Sequence, residues 1–319
     1  MMPIEFAIVP TLAAKEVSTL ITIRDRDIRV VIDSGFFGTS GYGWPPEWLD
    51  IQRGRINRRA TDVAQVSKTS TVFARGNFRL WNYKRFVGYV PDGMRNRHGF
   101  TNPGIGADFG KLQQFCRRMS NPIISVSGWS EEEITALYMH VNALDCLAVE
   151  FNISCKNVPL FGIEQAVHLV VLFKKYCRHP VIAKIGAENC VELAEALDDK
   201  IDFLNLINTL PMSDVLPQTP LPYGVEWMIS GSPIKQRALE AVSQVVAAGQ
   251  FKNRLIGGGG ILSTTDAYDF LYAGANALKI MSGLRFDHYL QENVENAVAN
   301  FDRCPDPLKG LSLTSRKLP

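Results

Sequence analysis

Eight short β-rich runs recur along the chain, at residues 28–32, 63–67, 123–127, 147–151, 181–185, 203–207, 254–256 and 277–281. The later ones alternate with stretches whose apolar residues repeat at helical spacing, over 163–176, 191–197, 234–248 and 265–273. Continuous apolar strands alternating with amphipathic helices indicate a parallel sheet covered by helices. Eight of them in 319 residues favour a closed (β/α)8 TIM barrel, an α/β fold, over an open doubly wound sheet. Two helix starts are explicit. Ser130 and Glu133 form a capping box ahead of Ile134, Leu137, Tyr138 and Val141, and Ser263 with Asp266 marks a second start. The expected organisation is one domain over 1–319, with a prologue over about 1–27 and an irregular tail over about 301–319. Apolar pieces at 6–9 and 20–23 predict a β-hairpin in the prologue. Segments 38–61, 71–108 and 211–230, rich in Gly, Pro and aromatics, are expected to be long loops over the barrel mouth.

Charge and cysteine usage narrow the function. The 34 basic residues nearly balance the 32 acidic ones with no long run of one sign, so no footprint for nucleic acid or an anionic membrane stands out. Small-molecule chemistry is the expectation. Six cysteines without a C-x-x-C pair argue against a disulfide framework, a zinc site or an iron–sulfur cluster within the chain. Residues 1–25 lack a signal-peptide core, and no apolar run reaches the length of a membrane span, so a soluble cytoplasmic protein is expected. Cys116, Cys146, Cys177 and Cys190 read as packing residues. His140, His168 and His288 fall on predicted helices without a second ligand at metal spacing, and no metal is expected.

A barrel of this kind presents its chemistry at the C-terminal ends of the strands. The fourth run breaks into Asn152, Ser154, Cys155 and Asn157. Two amides there offer donors and acceptors to a planar, heteroatom-rich ligand, and a thiol can act as nucleophile or base; a polar turn capping the next helix is the bland alternative. Asp33-Ser34-Gly35 follows the first run, Lys68-Thr69 the second, and Asn208-Thr209 the sixth. Lys68, at the end of a buried strand, is suited to holding an anion, to forming a Schiff base, or to reaching solvent, and Lys184 stands in an apolar frame where an ammonium needs an anionic or electron-rich partner. Gly257, Gly258, Gly259 and Gly260 precede a capped helix, and Met281-Ser282-Gly283 follows the eighth run. Loops after strands seven and eight of a TIM barrel form its usual phosphate cradle.

Taken together, these tips resemble the dihydroorotate dehydrogenase family of FMN-dependent (β/α)8 barrels, from about residue 28 to about residue 290. The most specific piece, Asn152-Ile153-Ser154-Cys155-Lys156-Asn157, is similar to the family's Asn-x-Ser-Cys-Pro-Asn loop in its cysteine-bearing class 1 form. Further matches are Asp33-Ser34-Gly35, Lys68-Thr69-Ser70-Thr71, Asn96-Arg97-His98-Gly99-Phe100, Lys184, Asn208-Thr209, Ser230-Gly231 and the glycine loop.

The resemblance implies oxidation of (S)-dihydroorotate to orotate in pyrimidine biosynthesis. Cys155 would be the base at substrate C5, with Lys68 near both flavin and substrate. Substrate binding would fall to Asn96, Gly99, Phe100, Asn152, Asn157, Asn208 and Thr209. FMN binding would fall to Ser34, Gly35, Lys68, Thr69, Asn152, Lys184, Ser230, Gly231, Gly259, Gly260, Ser282 and Gly283. It also implies a homodimer and an electron acceptor that is fumarate, oxygen or a partner electron-transfer subunit. The chain departs from the family's pattern at Lys156, His98, Trp227, Met228 and Met281. Three other readings are an FMN oxidoreductase of another pyrimidine or related cyclic conjugated substrate, a flavin-binding paralogue without turnover, and a Schiff-base aldolase using Lys68 or Lys184.

Overall fold

The computed structural model describes residues 18–43, 45–76, 86–97, 99, 101–154 and 162–301. The chain opens with β1 (Ile21–Ile23) and β2 (Arg26–Ile28), an antiparallel pair closed by a two-residue turn with Arg24 at φ 55°. The prologue hairpin is thus formed by the 20–23 piece and the segment just after it, while the 6–9 piece lies outside the described residues. Then come β3 (Val30–Ile32), α1 (Pro45–Gln52), β4 (Val63–Val66), β5 (Val87–Val90), β6 (Gly93–Asn96), α2 (Ile105–Arg118), β7 (Pro122–Val126), α3 (Glu131–Asn142) and β8 (Ala148–Asn152). The second half carries α4 (Ile163–Tyr176), β9 (Val181–Lys184), α5 (Cys190–Leu197), β10 (Phe203–Leu206), β11 (Leu210–Pro211), α6 (Met212–Val215), β12 (Met228–Gly231), α7 (Lys235–Ala247), β13 (Leu255–Gly257), α8 (Thr264–Tyr272), β14 (Ala277–Ile280) and α9 (Leu290–Asn300).

Strands β3, β4, β7, β8, β9, β10, β13 and β14 close into a parallel barrel in chain order. These are the eight runs read from the sequence. Alternation along each strand sorts its side chains. Val30, Ile32, Ile124, Val149, Phe151, Leu204 and Leu278 face outward into the core shared with the helices, whereas Val31, Ala64, Ile123, Ala148, Ile182, Phe203, Ile256 and Ala277 cluster inside. Ile21, Ile23 and Ile28 belong to that inner cluster and are fully buried, so the hairpin plugs the N-terminal end of the barrel. Each such side chain contributes roughly 1.5–3 kcal/mol of burial. The two predicted helix starts are present. Ser130 Oγ accepts from Glu133 N and Ser263 Oγ from Asp266 N, while the Glu133 carboxylate takes the Trp129 amide rather than that of Ser130.

The segments expected to be loops carry structure of their own. Residues 45–52 form a helix, and β5, β6, β11 and β12 pair into an antiparallel sheet in the order β11-β12-β6-β5. The physical reason lies in Pro91-Asp92-Gly93: proline and a left-handed Asp92 (φ 50°) turn the chain sharply between two short strands. Helix α2 is a further element that the strand-and-helix pattern left unread. His140 and His168 sit on helices as expected, but His288 lies in the turn before α9. Among the described residues no helix is long and apolar enough to cross a membrane, and no His, Cys, Asp and Glu group is arranged to hold a metal. Cys146, Cys177 and Cys190 are buried free thiols, and Cys116 is partly buried.

Candidate active site

Strand alternation builds the site from below. Two residues beyond the apolar inner layer, the inward positions become polar: Ser125 follows Ile123, Glu150 follows Ala148, Lys184 follows Ile182, Asn205 follows Phe203, and Lys279 follows Ala277. Asp33 joins them just past β3. Lys184 Nζ donates to both Asp33 oxygens, at 2.7 and 2.8 Å, and lies 3.3 Å from Ser34 Oγ. Lys279 Nζ is 3.6 Å from Asp33 Oδ2 and also donates to the Ile207 carbonyl. Glu150 accepts from Ser125 Oγ (2.8 Å) and Asn205 Nδ2 (2.7 Å).

These groups set one another's protonation. Burial opposes ionisation of Asp33, but the ammoniums of Lys184 and Lys279 outweigh it and hold its pKa below the ordinary carboxylate value. Burial pushes Glu150 upward against the pull of Lys184. Lys279 is brought down to about 8, chiefly by burial, with Asp33 opposing the shift and Lys184 adding to it.

Above this layer lies a cavity of about 1350 Å³, counting its opening to solvent. Its floor and walls gather Ser34, Gly35, Lys68, Thr69, Asn96, Gly99, Asn152, Asn208, Thr209, Ser230, Gly231, Gly259, Gly260, Ser282 and Gly283, all singled out from the sequence. Phe100, Cys155 and Asn157 lie outside the described residues. Lys184 is not on the cavity wall; it sits beneath, 1 % exposed and bound to Asp33. The sheet over the mouth adds Val87, Met94 and Met228. Met281 also lines the cavity, whereas Trp227 is fully buried with its indole N–H on the Pro222 carbonyl.

Polar side chains at the rim are organised by hydrogen bonds. Asn152 Oδ1 accepts from Ser154 Oγ at 2.7 Å, and Asn208 Nδ2 donates to that same hydroxyl at 2.8 Å. Asn152 Nδ2 reaches Thr69 Oγ1, which shares a 2.9 Å hydrogen bond with Ser125 Oγ and so connects the rim to Glu150. On the opposite side the strand-end loops meet closely. A Cβ on Gly231, at φ 96°, would lie 2.5 Å from Gly93 Cα, and one on Gly260 would lie 2.8 Å from the Gly231 carbonyl. Among the described residues the amides of Gly259, Gly260, Ser282 and Gly283 donate to no backbone carbonyl, and Ser282 Oγ bonds Ser230 Oγ at 2.8 Å. Backbone donors left over in a cradle of this kind suit an anion.

The family model for dihydroorotate dehydrogenase matches residues 81–300. The chain belongs to the dihydroorotate dehydrogenase family. Its members are flavin-dependent oxidoreductases, and this protein is an enzyme of that kind; a Schiff-base aldolase is thereby set aside. The chain is 36% identical over 258 residues to the dihydroorotate dehydrogenase B (NAD(+)) catalytic subunit of Geotalea uraniireducens, covering 76% of this chain and 80% of the relative. It is 33% identical over 229 residues to the corresponding subunit of a Geobacillus species, covering 68% and 72%. The crystal structure of the dihydroorotate dehydrogenase of Eimeria tenella in complex with ferulenol superposes with a TM-score of 0.69 over 89% of this chain and 84% of that one, at 15% identity, which speaks to the fold alone.

Glu150, Lys279 and Arg285 were not singled out from the sequence, although the last two line the cavity. Glu150 and Lys279, like Lys184, are ionisable groups inside apolar strands, which is the signal that marks them in the sequence.

Proposed function

We propose that this protein is a single FMN-binding barrel that oxidises (S)-dihydroorotate to orotate, working as a catalytic subunit that passes electrons to a partner. The observation that carries the reading is the one cavity in which a glycine-lined anion cradle faces a hydrogen-bonded amide rim. The residues present fit FMN. Uncommitted amides at Gly259, Gly260, Ser282 and Gly283 suit the phosphate, and Gly35, at φ 102° with open space where a Cβ would stand, leaves room for a flat ring.

FMN, when bound, supplies the acceptor for the hydride leaving substrate C6. Asn96, Asn152, Asn208 and Thr209 orient the substrate by neutral donors and acceptors, which suit the imide edges of a pyrimidine. Ser154 fixes the Asn152 and Asn208 amides relative to one another. Lys68 serves the carboxylate end from the cavity wall. Cys155 takes the C5 proton: a thiol ordinarily titrates near 8.5, so this role requires surroundings that favour its ionised form.

The relatives' name as catalytic subunits supports a partner subunit as acceptor. Met228 and Met281 on the cavity wall favour one second reading, a related cyclic conjugated substrate bulkier or less polar than dihydroorotate. Steady-state assays with a dye acceptor on a panel of dihydropyrimidines separate the two. A kcat/KM highest for dihydroorotate supports the first reading, and turnover of another member alone overturns it.

A further inference from the structure

We propose that Lys279 is a second cofactor-facing cation, which supplies to the flavin the positive charge that Asp33 draws away from Lys184 and so raises the flavin's reduction potential. The inference rests on the flavin reading above and goes beyond it.

Position comes first. Lys279 stands on the inner face of β14, 4 % exposed, and belongs to the cavity wall, whereas Lys184 lies below that wall. Charge comes second. Asp33 chelates the Lys184 ammonium with both oxygens and meets Lys279 only at 3.6 Å. One carboxylate therefore faces two ammoniums. Glu150 stands on β8 across the barrel from Lys279, with its carboxyl engaged by the uncharged Ser125 and Asn205, and burial pushes its pKa upward. Of the two ammoniums, the one at the cavity wall is therefore the less closely paired with Asp33.

A buried ammonium without full compensation is costly, and an anionic or electron-rich ligand offsets that cost. Hydride uptake from the substrate brings two electrons and one proton, so the isoalloxazine becomes one unit more negative until a further proton arrives. A cation in a water-poor wall favours that state more than one in solvent. Lys68, Arg285 and Asp33 also face the cavity. The charged groups that act on Lys279 are Asp33, at the end of the adjacent β3, and, across the barrel, Lys184 on β9 and Glu150 on β8.

The test is the flavin midpoint potential of the full chain loaded with FMN, followed from about pH 6 to about pH 10 in the wild type, Lys279→Met and Lys279→Arg. For Lys279→Met the account expects a shift of about tenfold toward oxidised flavin near neutral pH, about 30 mV for a two-electron couple. The wild type should show a steeper fall in potential above pH about 8, absent from Lys279→Met. Lys279→Arg should keep the wild-type potential near neutral pH and lose that inflection. A Lys279→Met protein that binds FMN with unchanged potential and pH profile overturns the inference while leaving the flavin reading intact. Should Lys279→Met fail to fold, an inflection that persists in Lys279→Arg overturns it equally. A wild-type chain that takes up no FMN overturns both readings together.

Discussion

Replacing Asp33 by asparagine tests the polar layer beneath the cavity. The carboxylate holds Lys184 at 2.7 and 2.8 Å and approaches Lys279 at 3.6 Å, and the two lysines are only 1 % and 4 % exposed. An exposed ion pair is worth at most about 1 kcal/mol. Removing one partner of a buried pair instead strands a charge and costs about 3–5 kcal/mol. The amide would retain one acceptor for Lys184 and none of the negative charge, so Asp33→Asn should lose about 3 kcal/mol or more. At about 2 °C per kcal/mol for a chain of this size, the melting temperature should fall by roughly 6–10 °C. The sign of the pH dependence adds a second handle. Without the Asp33 carboxylate, the pKa of Lys279 moves further below that of an unfolded lysine, so the unfolded chain binds more protons and stability rises with pH. The deficit should therefore shrink from neutral pH toward pH about 9. Urea titrations of the flavin-free variant and wild type at both pH values supply the measurement. A loss below about 1 kcal/mol, or a deficit that does not change with pH, would refute the charged-cluster account.

Three further outcomes follow from the same geometry. Because the folded value of Lys279, about 8, lies below its ordinary 10.5, wild-type stability should rise with pH across that window; Lys279→Met should lack the rise and gain on the order of 2–3 kcal/mol near neutral pH in urea titrations. Gly231→Ala places a Cβ 2.5 Å from Gly93 Cα and 2.6 Å from the Asp92 carbonyl at φ 96°, and should cost about 2–4 kcal/mol and weaken FMN retention measured by flavin fluorescence. Cys155→Ala should lower kcat for dihydroorotate by about two to four orders of magnitude with little change in KM, read in steady-state assays.

The barrel was legible because each of its strands buries an outward apolar face against helices. Val149 with Phe151, and Leu204 with Leu206, announce strands regardless of what stands between them. The same continuity concealed the charged layer. Glu150, Asn205 and Lys279 sit among apolar neighbours, and only the closed barrel brings their inward side chains together from strands distant in sequence. Glycine and amide tips were readable because strand ends converge in this fold, and the cavity assembles them around one space. The sheet over the mouth was not read, since Gly88, Arg95 and Ser230 interrupt the apolar runs of its strands and β12 joins β6 across a long sequence separation, Met94 with Ser230 among the pairs. Its local turn signal, Pro91-Asp92-Gly93, was present. Lys184 was legible as a buried cation but not as the partner of Asp33, a contact made between residues 151 positions apart.

The central claim is that this cavity takes electrons from dihydroorotate into bound flavin. Its most direct test is an anaerobic titration of the FMN-loaded protein with dihydroorotate, followed by flavin absorbance, in wild type and Cys155→Ala. The account predicts stoichiometric bleaching in the wild type that is slowed or lost in the variant. Flavin that stays oxidised in the wild type at saturating dihydroorotate would contradict it.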